Sequence, residues 1–232
     1  MTRDNHPTEK FYGRRMGQTL SARKRRLLEE VLPKVSIAPD DFSKKPLDPL
    51  NLFDFPPKET WLEIGFGKGE HLAAQARANP DVGFIGCEPF INGVAGLVTK
   101  IYEEGLKNIR ILADDARPLI DALPDKSIAR VFLLHPDPWP KTRHARRRFV
   151  SPPNLDRLAR IMKKGAELRI GTDHPVYKTW TMRQMQNRPD FNWTARRASD
   201  WQTQPEDWPD TRYQAKAHAS EVKCAYFTFL RV

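Results

Sequence analysis

The densest chemistry in the chain lies between His135 and Arg148, a stretch that begins His135-Pro136-Asp137-Pro138-Trp139-Pro140-Lys141. Three prolines restrict φ around Asp137 and Trp139, so one carboxylate and one aromatic plane are presented on a stiff turn. Arg143, Arg146, Arg147 and Arg148 follow Lys141, and no acid intervenes before Asp156. An acid, an aromatic ring and a polycation so close together suit the holding of a base beside a phosphate backbone. Asp137 is therefore the candidate catalytic residue. Taken alone the stretch also fits a capping Asp, a core Trp and a solvated charge run, so its surroundings must decide.

Three further acids stand in comparable places. Glu63 precedes Gly65-Phe66-Gly67-Lys68-Gly69, and Glu88 and Asp115 each follow a short apolar run. Glycines at 65, 67 and 69 let the backbone approach a ligand closely. They do not form the dinucleotide fingerprint, whose third glycine would fall on Glu70, nor a phosphate-binding Walker loop, since Lys68 is followed by Gly69. The acids say more. Glu88 suits the two hydroxyls of a ribose, Asp115 an adenine amino group (with Asp114 beside it as the alternative), and Glu63 an ammonium. A ligand that offers an ammonium, a ribose and an adenine, without a pyrophosphate that these acids would repel, is S-adenosylmethionine.

The elements that must position these groups follow from apolar patterning. Short apolar runs predict strands over 60–65, 82–87, 109–112, 128–134 and 167–171, and a last strand over 222–230. Helical spacing alternates with them over 71–79, 90–104, from 117 onward and over 174–186. Ser151-Pro152 marks a further helix start, with Gly165 as its expected end. Such alternation predicts a Rossmann-like, doubly wound α/β fold with a mostly parallel sheet, its last strand added antiparallel. Glu63, Glu88, Asp115 and Asp137 then fall on one rim, at the carboxyl ends of the strands, where open sheets bind ligands.

Ahead of this unit, residues 1–20 are expected to be irregular, with a short helix from Ser21 to about Leu32 and an irregular Pro-rich connector over 33–58. The expected division is a basic arm with its connector over 1–58 and a catalytic domain over 59–232. Between Lys10 and Arg26 there are five arginines or lysines and no acid: Arg14, Arg15, Arg23, Lys24 and Arg25. The formal charge of +10 points to a polyanionic partner, nucleic acid first. Two cysteines build neither a disulfide framework nor a zinc site, which fits a reducing cytoplasm. No apolar run reaches a membrane span, and the N-terminus lacks the apolar core of a secretory signal. Composition leaves monomer and homodimer both open.

With these residues in place, the chain resembles the bacterial tRNA (guanine-N7) methyltransferase family. The resemblance rests on Pro136-Asp137-Pro138-Trp139-Pro140-Lys141 with Arg143-His144 and Arg146-Arg147-Arg148, and more weakly on Arg14-Arg15-Met16-Gly17-Gln18. It implies a seven-stranded class I methyltransferase sheet and methyl transfer to a guanine at standard tRNA position 46, in the variable loop. It implies that Glu63, Glu88, Asp115 and Asp137 contact S-adenosylmethionine. For tRNA it implies Lys141, Asp173 and Thr211-Arg212-Tyr213-Gln214. Gln214 departs from the Glu usual at that place. An amide both accepts and donates, but it holds a cation less strongly than a carboxylate does. Methylation of an exocyclic amine uses a related turn with two prolines after the acid, one more than stands here. A basic RNA-binding module without turnover is the non-enzymatic alternative.

Overall fold

A computed structural model describes residues 11–42, 46–209 and 223–232. Strand β1 (Glu59–Ile64) is central, and its period of two sorts the core. Leu62 and Ile64 join the cluster built on helices α5 (Ala116–Ala122), α6 (Pro152–Ile161) and α7 (Pro175–Met185). Trp61 joins the cluster on the other face, with α1 (Ala22–Glu30), α3 (Glu70–Ala78) and α4 (Ile91–Glu104). Glu63 shares Trp61's parity and so points toward α3. The chain is thus wound on both faces of one sheet.

The remaining strands are β2 (Val82–Cys87), β3 (Ile109–Leu112), β4 (Ile128–Leu134), β5 (Met162–Thr172), β6 (Phe191–Trp193) and β7 (Ala225–Arg231). Their order is β3-β2-β1-β4-β5-β7-β6. The pairs from β3 to β5 are parallel, and β7 lies antiparallel to both β5 and β6. Register brings the strand ends level: Ile64 lies opposite Cys87 and Leu133, Cys87 opposite Leu112, and Leu134 opposite Gly171. The residues that follow each strand therefore emerge side by side.

Four expectations are corrected. Helix α6 ends at Ile161 rather than Gly165, because Met162 already pairs with Ile128. The partner then advances only to Arg130 while β5 reaches Glu167, so Lys163, Lys164 and Gly165 bulge from the ladder. Strand β6 was invisible in the patterning: it is three residues long, and only Phe191 is buried. The connector is not irregular. It forms α2 (Leu32–Val35) and two 3-10 turns, Pro39–Asp41 and Pro49–Leu52, and buries Ile37, Phe42 and Phe53 in the core. Ser36 bridges Ile111, and Ile37 N–H donates to Ile111 O at 2.8 Å, which covers the open edge of β3.

Nor is the described part of the arm loose. Ile91 N–H, one of the unpaired donors in α4's first turn, donates to Arg15 O at 3.0 Å. Asn92 holds the same segment from both sides, accepting from Gly17 N–H at 2.8 Å and donating to Gln18 O at 2.6 Å. Helix α1 starts on the expected cap, with Ser21 accepting from Lys24 N–H. A short helix α8 (Ser199–Gln202) lies beside β7. Among the described residues no helix is long and apolar enough to cross a membrane, and no group of side chains is placed to hold a metal ion.

Asn108 ties α3 to the sheet that carries the site. Its buried amide donates to the carbonyls of Ala76, Asn79 and Val82 at 3.0, 3.1 and 3.0 Å. Asn108→Ala leaves all three without that donor, and the expected loss is about 2 to 3 kcal/mol of unfolding free energy. Urea denaturation of the two proteins checks it; an unchanged midpoint would show that these bonds are replaced by water.

Candidate active site

A cavity of about 1030 Å³ opens at the carboxyl edge of the sheet, between the ends of β1, β2 and β4. Gly65 and Gly67 form part of its floor. Gly65 has φ +73°, and a Cβ there would meet nothing within 4 Å, so the bare backbone faces open space. Gly69 does not belong with them. It precedes α3, and a Cβ would strike Leu97 of α4 at 2.6 Å, so this glycine serves helix packing rather than a ligand.

Glu88 holds the glycine turn in place. One of its oxygens accepts from Gly67 N–H at 2.8 Å and the other from Phe90 N–H at 2.9 Å. Burial raises its pKa, the two backbone donors oppose that rise, and repulsion from Asp137 and Glu63 adds to it. Gly93, in the first turn of α4, lets this corner close: a Cβ would lie 2.2 Å from Gly67 O and 3.3 Å from the Glu88 Cγ.

The other acids divide. Glu63 lines the cavity but is buried, and one of its oxygens is already bound to His71 Nδ1 at 2.7 Å. Asp115 lines the cavity and caps α5, accepting from Arg117 N–H at 3.1 Å and from the Arg117 guanidinium. Asp114 pairs with Arg15 at 2.8 Å and, unlike Asp115, does not line the cavity. Asp137 is exposed on the rim.

The turn after β4 is strained at two side-chain-bearing residues, His135 at φ +48° and Trp139 at φ +41°. Arg148 is what braces it. The expectation that this arginine grips phosphate fails: it is buried, donates to Pro138 O at 3.0 Å and Trp139 O at 2.9 Å, and packs over Trp180. Arg147 is likewise engaged. Its guanidinium lies 4.8 Å from the Trp139 ring and 4.5 Å from the Tyr12 ring. Lys141, Arg143 and Arg146 remain exposed. Lys141 and Asp173 stand outside the cavity wall, with Asp173 3.6 Å from His135 Nδ1. Thr211, Arg212, Tyr213 and Gln214 lie outside the described residues.

Sequence reasoning missed two parts of the wall. Phe11, Tyr12, Gly13 and Arg14 close one side of the cavity. Phe11 and Tyr12 are the only Phe, Tyr or Trp among the first twenty residues, a signal that the basic charge around them masked. His71 was passed over as part of a helix, and nothing in its spacing marks it out.

This architecture is that of the class I methyltransferases. Among solved structures, the 16S rRNA methyltransferase KamB superposes with a TM-score of 0.56 at 16% identity, covering 76% of this chain and 89% of that one. TrmN from Thermus thermophilus gives 0.52 at 13%, covering 90% and 48%. Likeness at this level establishes the fold. A family profile described as a putative methyltransferase matches residues 57–226. The tRNA (guanine-N(7)-)-methyltransferase of Zymomonas mobilis is 48% identical over 224 residues, 96% of this chain and 94% of its own. That of Ruegeria pomeroyi is 47% identical over 235 residues, 100% of this chain and 98% of its own. The chain belongs to the family of bacterial tRNA (guanine-N(7)-)-methyltransferases.

The class implies S-adenosylmethionine as methyl donor, and the cavity fits it. Bare backbone at Gly65 offers a path for the ligand, and carboxylates stand at the ends of β1 and β2 and after β3. Gly93→Ala pushes Gly67 O off its place at a cost of about 1 to 3 kcal/mol, so S-adenosylhomocysteine binding should weaken by roughly tenfold. Isothermal titration reads this directly. Glu88 sets a pH dependence. Its folded pKa is raised, so its contribution to stability is full below the ordinary glutamate value and is lost as pH rises through the folded one. Only the carboxylate accepts from two hydroxyls, so ligand affinity should fall as pH drops through a midpoint above the ordinary glutamate range. Glu88→Gln should bind more weakly, and without that dependence.

Proposed function

We propose that this chain transfers the methyl group of S-adenosylmethionine to N7 of a guanine in tRNA, and that the guanine is the one at position 46 of the variable loop. The observation that carries the N7 reading is the near-full-length identity to proteins named tRNA (guanine-N(7)-)-methyltransferases; position 46 rests on the family resemblance. In support of it, a carboxylate-walled cavity lies beside the strip of Lys141, Arg143 and Arg146.

S-adenosylmethionine supplies an electrophilic methyl on a sulfonium. N7 of guanine carries a free lone pair and no proton, so no general base is required of the protein. What the chain must do is orient the base and accommodate positive charge as it moves onto the imidazole half of the purine. Asp137, on the strained turn, and Asp173, after β5, place carboxylates near that ring, and Trp139 walls it. Burial keeps His135 below its usual pKa, an effect that Asp173 opposes. Glu63, Glu88 and Asp115 hold the donor. Lys141 and the free arginines grip phosphate, and Thr211, Arg212, Tyr213 and Gln214 complete the tRNA contact. N7 is hidden in the deep groove of A-form RNA, so recognition favours a loop or an opened tertiary pair.

The test is transfer of labelled methyl to unmodified tRNA transcripts with identification of the nucleoside formed. 7-Methylguanosine is expected, lost when guanine 46 becomes adenine. Another methylated nucleoside overturns the N7 assignment, and binding without transfer to any tRNA favours the binding module. Asp137→Ala should lower kcat about 10²- to 10³-fold at saturating donor. Lys141→Ala should instead weaken tRNA binding and reduce its salt dependence by roughly one ionic contact.

A further inference from the structure

His71 has no part in the reaction as described, yet it is the most completely buried histidine at the cavity. Its ring and the Glu63 side chain are each only 2% exposed. Nδ1 lies 2.7 Å from Glu63 Oε2. The rest of the ring is enclosed by aromatics: Phe132 meets it edge-on with centroids 4.6 Å apart, and Trp208 stands 6.1 Å away. Nε2 is buried and has no hydrogen-bond partner among the described residues. A leucine would fill such a space without desolvating two ring nitrogens. The hydrogen-bonding capacity of the ring is therefore directed at one group, the acid at the end of β1.

We infer that His71 is a positioning residue for the methyl donor, fixing the Glu63 carboxylate so that it receives the ammonium of the donor's amino-acid end. This rests on the reading of Glu63 as a donor contact. A glutamate carries three side-chain torsions, and one that reaches into a cavity of about 1030 Å³ has room to rotate away from a ligand. With the proton on Nδ1, His71 donates to Oε2 and fixes that rotation, leaving the second oxygen for the ligand. Sequence and sheet parity make the pair possible. Glu63 points to the α3 face, and His71 is the second residue of α3, one turn after the glycine loop that begins at Gly65. Behind the ring, Gln75 on the same helix donates to the Asp207 carbonyl, and Trp208 packs against Tyr226. The histidine is thus backed by fixed groups.

The test uses two ligands on the full chain. S-adenosylhomocysteine carries the amino-acid end; 5′-methylthioadenosine keeps adenine, ribose and sulfur without it. His71→Leu should weaken the first by about tenfold and the second by less than about twofold, while His71→Asn, whose amide can donate from a similar place, should retain most of the affinity. In a Glu63→Gln background His71→Leu should add no further loss. Equal weakening of both ligands by His71→Leu would mean that the ring shapes the whole cavity, and the inference fails. Unchanged S-adenosylhomocysteine binding by His71→Leu would overturn it as well. If Glu63→Gln itself binds S-adenosylhomocysteine like the parent, the reading of Glu63 as donor contact falls, and the inference with it. If Glu63→Gln loses affinity while His71→Leu does not, only the role of His71 falls. Binding of 5′-methylthioadenosine by each variant shows that it is folded.

Discussion

Everything at the carboxyl edge hangs on the carboxylate of Glu88 and the two backbone donors it gathers. Gly67 N–H comes from the turn after β1 and Phe90 N–H from the start of α4. One buried acid thereby holds two loops from adjacent parallel strands at a fixed separation. Removing those donors would leave a carboxylate in low dielectric with nothing to offset its desolvation. Gly93 is small because this corner is tight, and the bare backbone of Gly65 faces the open cavity. The acids of β1 and β4 keep their places relative to the same corner, since the ladder holds Glu63 level with Gly86 on one side and Phe132 on the other.

Much of this was legible before any coordinates. Runs such as 82–87 and 131–134 are apolar throughout because both faces of a parallel sheet are covered, and that made the strands and their ends plain. Once the ends were known, four acids on one rim followed from topology. What stayed hidden depends on contacts distant in sequence. Asp114 and Asp115 are chemically identical, and only the placement of Arg15 separates them. Arg148 looks like its neighbours in a cationic run, yet its guanidinium braces the turn from inside. Residues 33–58 carry many prolines, which hid the fact that Ile37, Phe42 and Phe53 are core. His71 meets Glu63 only because a strand parity and a helix start coincide.

The arm shows how a basic sequence can be read too simply. Its cations suggested an arm for a polyanion, and its described part is a strap that reaches three loops of the site. Arg15 O receives Ile91 N–H beside the Glu88 corner, the Arg15 guanidinium takes Asp114 next to Asp115, and Tyr12 covers Arg147 over Trp139. These reach the loops that carry Glu88, Asp115 and Asp137 respectively. An arginine between two aromatic rings is a sound joint because its planar cation gains from both faces while losing little rotamer freedom.

That arrangement separates the two electrostatic tasks of the molecule. A chain of net charge +10 attracts RNA from a distance, yet a methyl transfer that ends with positive charge on a purine is opposed by cations close to the ring. Several cations around the cavity are neutralised or turned to structure: Arg117 on Asp115, Arg15 on Asp114, Arg147 between rings, Arg148 on backbone carbonyls. Arg14 and Arg146 stay exposed at the cavity wall, and Lys141 and Arg143 are exposed outside it. Acids hold the interior and free cations the rim.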